Sequence, residues 1–257
     1  MELDDAYANA AHIPAADAYP DNWATAAAAF RARTLCELDL DYGESPRQRY
    51  DLFHPARLSK GLVVFVHGGY WLRFDKSFWS HLAAGPLAHG WSVAMPSYDL
   101  CPDVRITDIS RQILAAIATA SSRAPGPIRL VGHSAGGHLV ARASVATRGA
   151  RWQDRLVKTV AISPVADLAP LMRTSMNADL KIDDAEVLTE SPVHLPAPKT
   201  PVTVWVGADE RPVFLEQAAA LAEAWNCDQV IAPEKHHFDV IEELSSADSA
   251  LIRAVLG

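Results

Sequence analysis

The sequence has no run of basic residues and no apolar stretch long enough to cross a membrane. Its net charge is −8 and its pI is about 5.6, because 31 acidic residues outnumber 23 lysines and arginines. An acidic chain without a basic patch is poorly suited to bind nucleic acid or an anionic membrane surface. The segment from Met1 to Asp5 also lacks the positive region and apolar stretch of a secretory signal. We therefore expect a cytoplasmic protein with neither a nucleic-acid nor a membrane partner.

Cysteine is scarce, and patterns typical of metal or nucleotide binding are missing. The cysteines Cys36, Cys101 and Cys227 are odd in number and widely spaced, which indicates reduced thiols. The chain has no His-Glu-x-x-His sequence, no paired-cysteine motif and no glycine-rich phosphate loop. The sequence therefore predicts no metal and no cofactor, with a small-molecule substrate as the partner. It leaves the oligomeric state open, a homodimer included.

Strand and helix patterns alternate along most of the 257 residues, and no internal repeat is visible. Residues 35–42 and 49–54 alternate apolar and polar side chains and predict an antiparallel hairpin. Residues 62–66 are continuously apolar, as expected for a strand buried on both faces of a parallel sheet. Apolar residues at helical spacing predict an amphipathic helix over residues 103–122. The alternation predicts a single α/β domain over residues 1–257, with a mostly parallel sheet flanked by helices.

Two segments fall outside this alternation. Residues 1–34 are alanine-rich and form an N-terminal arm, in which residues 22–33 are predicted to be helical with Asn22 as the cap. Residues 168–198 lack strand character, and we interpret them as an inserted cap or lid over the site. Near the end of the chain, one closing helix is predicted over residues 239–256.

The motif with the most specific chemistry is Gly132-His-Ser134-Ala-Gly136. A short apolar run precedes it, and a helical pattern follows it as far as Thr147. Between a strand and a helix, a Gly-x-Ser-x-Gly sequence places its serine on a sharp turn that presents the hydroxyl at the end of the sheet. Glycine is needed on both sides because larger side chains would collide there. Ser134 is therefore the candidate nucleophile, and the N–H of Ala135 is a candidate oxyanion donor.

A serine hydroxyl needs a base to remove its proton and a carboxylate to hold that base in the right tautomer. In folds with this turn, the acid follows the serine along the chain and the histidine comes last. Asp209 lies just beyond a predicted strand and is the preferred acid, while Asp167, which also follows a strand, is the alternative. His236 and His237 are both candidates for the base on position alone.

The sequence His67-Gly68-Gly69 follows the buried strand at the place where the second half of an oxyanion hole is built. Glycines allow backbone N–H groups to approach a substrate carbonyl without a Cβ in the way. Gly68 and Gly69 are therefore candidate donors together with Ala135. We interpret the imidazole of His67 as a hydrogen-bond partner that orders the loop.

Four motifs, taken together, resemble those of the kynurenine formamidases (arylformamidases), a family with the α/β-hydrolase fold. They are His67-Gly-Gly-Tyr-Trp71, Gly132-His-Ser-Ala-Gly-Gly137, Gly207-Ala-Asp209 and His237-Phe-Asp239. The first is the most discriminating, because esterases similar to hormone-sensitive lipase usually carry a third glycine where this chain has Tyr70. The resemblance implies an α/β-hydrolase fold and a triad of Ser134, Asp209 and His237.

The resemblance also implies a reaction, the hydrolysis of N-formyl-L-kynurenine to L-kynurenine and formate in tryptophan catabolism. Ser134 would attack the formyl carbon, and His237 would protonate the departing aryl amine. Tyr70 and Trp71 would close the site around the small formyl group or stack on the anilide ring, unless they only pack the loop. Two alternatives stay open: a carboxylesterase or other small-amide hydrolase with the same triad, and a binding protein that keeps the fold without catalysis.

Overall fold

The computed structural model describes residues 1–145 and 151–257, and a twisted sheet runs through its centre. Its strands are β1 (Cys36–Asp41), β2 (Arg49–Phe53), β3 (Leu62–Val66), β4 (Ser92–Pro96), β5 (Ile128–His133), β6 (Leu156–Ile162), β7 (Val202–Gly207) and β8 (Asp228–Ala232). They are ordered β1-β2-β4-β3-β5-β6-β7-β8. All neighbouring pairs from β4 to β8 are parallel, whereas β2 pairs antiparallel with both β1 and β4. The predicted hairpin and the predicted mostly parallel sheet are both confirmed.

Helices cover both faces of the sheet. The α-helices are α1 (Asp4–Tyr7), α2 (Tyr19–Arg31), α3 (Ala84–Ala88), α4 (Ile106–Arg123), α5 (Ala135–Ser144), α6 (Asn177–Leu180), α7 (Asp184–Glu190), α8 (Pro212–Trp225) and α9 (Ala250–Leu256). Short 3₁₀ helices occupy Asn9–His12, Ala16–Ala18, Lys76–Phe78, Ser80–Ala83, Gln153–Arg155, Ala169–Arg173, Pro192–His194 and Glu242–Ser245. The helix predicted to continue to Thr147 is α5, and residues 146 and 147 of that prediction lie outside the described residues.

Two helices begin at residues other than those that the sequence predicts. Helix α2 begins at Tyr19 with Pro20 in its first turn, where a missing N–H costs nothing, so the predicted cap at Asn22 is wrong. The predicted closing helix is interrupted after the 3₁₀ turn that ends at Ser245. Helix α9 then starts anew, because the Ser249 hydroxyl caps it by accepting the N–H of Ile252 at 3.0 Å.

The core lies on both faces of the sheet because side chains alternate along each strand. On β3, Leu62, Val64 and Val66 belong to one apolar cluster, and Val63 and Phe65 belong to another. The first cluster includes the buried isoleucines of α4, and the second includes apolar residues of α2 and α9. Burial on both faces explains why β3 reads as a continuous apolar run.

The register of the central strands positions the functional loops. Strand β3 pairs with β5 so that Val66 lies opposite Gly132. Both strands therefore end at the same edge of the sheet, and the loop that begins at His67 lies beside the turn that carries Ser134. Ligand sites in open α/β sheets form at this carboxyl edge.

Within residues 1–145 and 151–257, no helix is long and apolar enough to span a membrane. The same residues contain no group of three or more His, Cys, Asp or Glu side chains arranged to hold a metal ion. Cys36, Cys101 and Cys227 are free thiols, and burial raises the pKa of the Cys101 thiol to about 12. A thiol that stays protonated in this way is a poor nucleophile.

Two buried histidines should make the fold sensitive to acid. Burial lowers the pKa of His67 to about 4 and that of His138 to about 3, whereas an unfolded histidine titrates near pH 6.5. Below about pH 6.5 the unfolded chain therefore binds protons that the folded chain does not. We expect the free energy of unfolding to fall by up to about 1.4 kcal/mol per pH unit for each histidine between pH 6.5 and 4.

Urea unfolding at pH 7 and pH 5 measures this loss for the wild type and for His138→Gln. Glutamine can still donate to the carbonyl of Glu190, which accepts from His138 Nε2 at 2.8 Å, but it does not titrate. The variant should lose less stability between the two pH values. An equal loss in both proteins would contradict the prediction.

Candidate active site

Ser134 lies on a strained turn between β5 and α5. Its backbone has φ 56° and ψ −119°, a left-handed conformation that is unfavourable for a residue with a Cβ. The turn is held because the Ser134 N–H donates to the carbonyl of Ile162 at 2.8 Å. A Cβ at Gly132 would lie 2.1 Å from the Gly136 oxygen, and one at Gly136 would lie 2.0 Å from the Val66 oxygen. The close approach of three backbone segments therefore requires glycine at both flanking positions.

His237 is buried in the loop that follows β8, and its ring is fixed from several sides. Its Nδ1 donates to Glu210 Oε2 at 2.6 Å, and the ring of Phe214 packs with its centroid 4.2 Å away. The carbonyl of His237 accepts from His133 Nε2 at 2.9 Å. Because Nδ1 carries the proton, Nε2 is left as the basic nitrogen.

Glu210 provides the carboxylate that orients this histidine. Its Oε1 accepts from the N–H of Gly207 at 2.8 Å and from the hydroxyl of Ser163, while Oε2 faces His237. The Glu210 side chain has no solvent-exposed surface, and that of His237 is 4% exposed. Three donors thus fix one buried carboxylate in a single orientation.

The prediction that Asp209 orients the histidine is wrong. Asp209 is exposed on the turn after β7, and its N–H donates to the Lys235 carbonyl at 2.9 Å. Among the described residues, no hydrogen bond or ion pair joins the Asp209 side chain to His237, whose Nδ1 is bound by Glu210. The following residue has one more methylene and reaches back to Gly207 and His237. The alternative acid, Asp167, instead accepts the N–H of Ala169 at 2.9 Å.

His236, the other candidate base, does not line the cavity that contains Ser134. Its Nδ1 accepts the N–H of Phe238 at 3.1 Å, and its Nε2 lies 3.1 Å from the hydroxyl of Tyr19. Both ring nitrogens are therefore occupied. His237, by contrast, lines the same cavity as Ser134. No hydrogen bond joins these two side chains among the described residues, and such contacts often tighten only when a substrate binds.

The predicted oxyanion loop lies directly against the serine turn. A Cβ at Gly68 would be 2.9 Å from Ser134 Cβ, and Gly69 has φ 116°, which favours glycine. Within the described part of the chain, the backbone N–H groups of Gly68 and Gly69 have no acceptor. The N–H of Ala135 is the first of helix α5 and has no acceptor within that helix. The structure thus brings the three predicted donors to one end of the sheet.

His67 orders this loop, as the sequence suggested. Its Nδ1 donates to the carbonyl of Gly68 at 2.8 Å, and its ring stacks on Tyr98 with centroids 4.4 Å apart. The hydroxyl of Tyr98 donates to the His67 carbonyl at 2.9 Å. Tyr98 therefore supports the predicted oxyanion loop through both its ring and its hydroxyl.

Tyr70 and Trp71 differ in their surroundings. Tyr70 lines the cavity, and its hydroxyl donates to the carbonyl of Tyr7 at 2.8 Å. Trp71 is fully buried and packs edge-to-face on His138, with ring centroids 5.0 Å apart. Both residues have positive φ, and the resulting tight turn directs the second side chain into the core. The prediction that Trp71 contacts substrate is therefore wrong, because Trp71 packs the loop.

The cavity at Ser134 has a volume of about 600 Å³, which is typical of small-molecule sites. The N-terminal arm forms much of its wall through residues that include Tyr7, Asn9 and Trp23, whereas residues 168–198 contribute Ser175 and Met176. The sequence left the position of the arm undecided. Two aromatic residues of the arm, Tyr7 and Trp23, now prove to line the cavity.

A family model described as the alpha/beta hydrolase fold matches residues 63–197, just over half of the chain. The chain belongs to this family. Among curated proteins, the kynurenine formamidase of Salmo salar is 28% identical over 249 residues, covering 88% of this chain and 83% of that protein. The kynurenine formamidase of Drosophila melanogaster is 29% identical over 240 residues, covering 83% of this chain and 78% of that protein. These matches confirm the resemblance found in the motifs, and the α/β-hydrolase is an enzyme of the hydrolase class.

A solved structure is similar over its entire length. The crystal structure of a protein from Silicibacter sp. TM1040, provisionally assigned as a thioesterase, is 52% identical, with full coverage of both chains and a TM-score of 0.98. Over residues 1–145 and 151–257, this α/β-hydrolase therefore has the same backbone fold as that protein, and the arm is included.

Proposed function

We propose that this α/β-hydrolase is a serine hydrolase of aryl formamides, with N-formyl-L-kynurenine as its substrate. The observation that carries the proposal is the hydrogen-bonded pair of His237 and Glu210 in the same cavity as Ser134. This constellation suits acyl transfer to a serine. The formamide is favoured over other acyl groups by the curated formamidase relatives, which align with most of the chain.

In the first half of the proposed reaction, the Ser134 hydroxyl attacks the formyl carbon while His237 Nε2 takes its proton. The carbonyl oxygen becomes an oxyanion, which the N–H groups of Gly68, Gly69 and Ala135 stabilise. The C–N bond then breaks as His237 returns the proton to the nitrogen of the leaving aryl amine. The product of this half is a formyl ester on Ser134.

In the second half, His237 removes a proton from water, and the resulting hydroxide attacks the formyl ester. Formate leaves, and Ser134 recovers its proton from His237. The Glu210 carboxylate stabilises the imidazolium that forms in both halves. Burial holds the pKa of the neighbouring His133 well below its usual value, so no second positive charge opposes that imidazolium.

The cavity wall supports an aromatic substrate. Trp23, Phe74, Trp79 and Phe238 all line it. The ring of Trp23 meets Phe74 and Phe238 edge-on, with centroids 6.1 and 5.4 Å apart. Aromatic rings favour such arrangements, and a substrate ring can join the cluster in the same way.

A second candidate function is the hydrolysis of esters or thioesters. It is favoured by the Silicibacter protein, which is 52% identical and provisionally assigned as a thioesterase. The same nucleophile and base would serve, because only the leaving group differs. The two candidate functions therefore differ in the preferred substrate and share the same catalytic residues.

We expect kcat/KM to be highest for N-formyl-L-kynurenine in a comparison with its N-acetyl analogue, p-nitrophenyl esters and short acyl thioesters. The added methyl group of the acetyl analogue should reduce kcat/KM roughly 10- to 100-fold. Ser134→Ala gives the background rate for each substrate. Rapid ester or thioester turnover with negligible formamide turnover would reject the formamidase and favour the second candidate.

A further inference from the structure

Two charged side chains on the cavity wall have no protein partner. Asp4 also lines the cavity, but its carboxylate accepts the N–H of Ser175 at 2.6 Å. The side chains of Asp17 and Arg73, by contrast, take part in no hydrogen bond or ion pair with the rest of residues 1–145 and 151–257, nor with each other. The cavity thus carries one free negative charge and one free positive charge that do not neutralise one another.

Both residues belong to backbone segments that are fixed relative to the catalytic groups. The N–H groups of Leu72 and Arg73 both donate to the carbonyl of Gly69, at 3.0 and 3.2 Å. Arg73 is therefore held by the same turn as a predicted oxyanion donor. Asp17 lies in the 3₁₀ helix Ala16–Ala18, directly before α2, whose Trp23 also lines the cavity. A ligand could therefore contact both charges while its reactive group lies at Ser134.

The remaining wall is largely aromatic and aliphatic, which suits an aryl group attached to the charged end of a ligand. A guanidinium binds a carboxylate through two parallel N–H···O bonds, and a carboxylate binds an ammonium. We propose that Arg73 binds the carboxylate and Asp17 the ammonium of a zwitterionic aryl amino acid, whose formamide lies at Ser134. This inference rests on the proposed function and adds a specificity that a simple ester substrate cannot use.

The test compares two formamides that differ only at the charged end. N-(2-acetylphenyl)formamide keeps the formyl group, ring and ketone of N-formyl-L-kynurenine but lacks its amino-acid part. Because Asp17 and Arg73 are exposed and partly solvated, each should contribute about tenfold. The quantity compared is kcat/KM for the charged substrate divided by kcat/KM for the neutral one. We expect Arg73→Gln and Asp17→Asn each to lower this ratio about tenfold, mainly by raising KM for the charged substrate. Arg73→Lys should restore part of the ratio.

Matched controls remove the same charges elsewhere on the surface. Arg57→Gln and Asp21→Asn replace exposed residues that do not line the cavity, so the ratio should stay within about twofold of the wild type. If these controls lowered the ratio as much as Arg73→Gln and Asp17→Asn, the effect would come from net charge, and the proposal would fail.

Single-group analogues assign each charge to its partner. The α-carboxamide of N-formyl-L-kynurenine lacks the carboxylate, so Arg73→Gln and the wild type should hydrolyse it with the same kcat/KM. The deamino analogue lacks the ammonium, so Asp17→Asn and the wild type should hydrolyse that analogue with the same kcat/KM. Proportionate losses on the charged and the neutral formamide would overturn the inference and leave the proposed function standing. A wild type that hydrolyses both formamides equally well would do the same. A wild type that hydrolyses neither would reject both proposals.

Discussion

Replacing Ser134 by alanine is expected to lower kcat by roughly 10⁴- to 10⁶-fold on every substrate that this α/β-hydrolase accepts. The hydroxyl is the group that forms the acyl intermediate, and no other hydroxyl of the cavity lies on the strained turn. The residual rate would come from the oxyanion donors and from substrate binding. Steady-state kinetics and trapping of the formyl-enzyme by intact-mass spectrometry measure the effect.

This variant should keep the stability of the wild type. Alanine retains the Cβ, so the strain at φ 56° is unchanged, and the free energy of unfolding should change by less than about 0.5 kcal/mol. Ser122→Ala, on the exposed face of α4, is the matched control and should keep full activity. If Ser134→Ala retained more than a hundredth of the wild-type kcat, Ser134 would not be the nucleophile.

Glu210→Gln is expected to lower kcat roughly 10³- to 10⁴-fold. An amide can present its NH₂ group to His237, which favours the tautomer with the proton on Nε2 and removes the base. Asp209→Asn is the matched control, because it changes the adjacent residue of the same turn by the same chemistry. We expect this control to stay within about twofold of the wild type.

Comparing kcat of these two variants shows whether Glu210 or its neighbour Asp209 is the catalytic acid. A larger loss in Asp209→Asn than in Glu210→Gln would show that the hydrogen bond between Glu210 and His237 is not the catalytic one. Urea unfolding of both variants distinguishes lost orientation from lost folding, since Glu210 also accepts from Gly207 and Ser163. Glu210→Asp should retain intermediate activity, because a shorter carboxylate reaches the imidazole less well.

The turn of Ser134 and the parallel sheet could be predicted because their causes are local. Gly132 and Gly136 are required by backbone atoms about 2 Å from where their Cβ would lie, and this requirement leaves a short, specific motif. Strand β3 is buried on both faces, and a continuous apolar run follows directly from that burial. Sequence patterns report such constraints well.

The acid could not be predicted because it depends on how a turn folds back. The order of serine, acid and histidine identifies the loop after β7 but does not distinguish Asp209 from Glu210. The choice depends on the direction of each side chain after Gly207 and on the hydroxyl of Ser163, which is 47 residues distant in sequence. No pattern within the loop reports that contact.

Trp71 shows a second limit, since apolar side chains line both cores and cavities. Its motif predicts an oxyanion loop, yet the sequence does not state that two successive residues with positive φ direct this indole inward. The position of the arm was likewise undecided, because its partners lie far along the chain. Contacts of that kind leave no periodic signal.

The contacts of the arm affect the order in which parts of the chain can fold. The Tyr7 hydroxyl accepts a hydrogen bond from Gln217 Nε2 at 3.1 Å, and the Tyr19 hydroxyl lies 3.1 Å from His236 Nε2. The arm is synthesised before these anchors, which lie 210 and 217 residues later in the chain. The wall of the cavity can therefore close only after the sheet and its catalytic loops have formed. A ligand that touches the arm will hold it in place, so substrate itself stabilises the final step of folding.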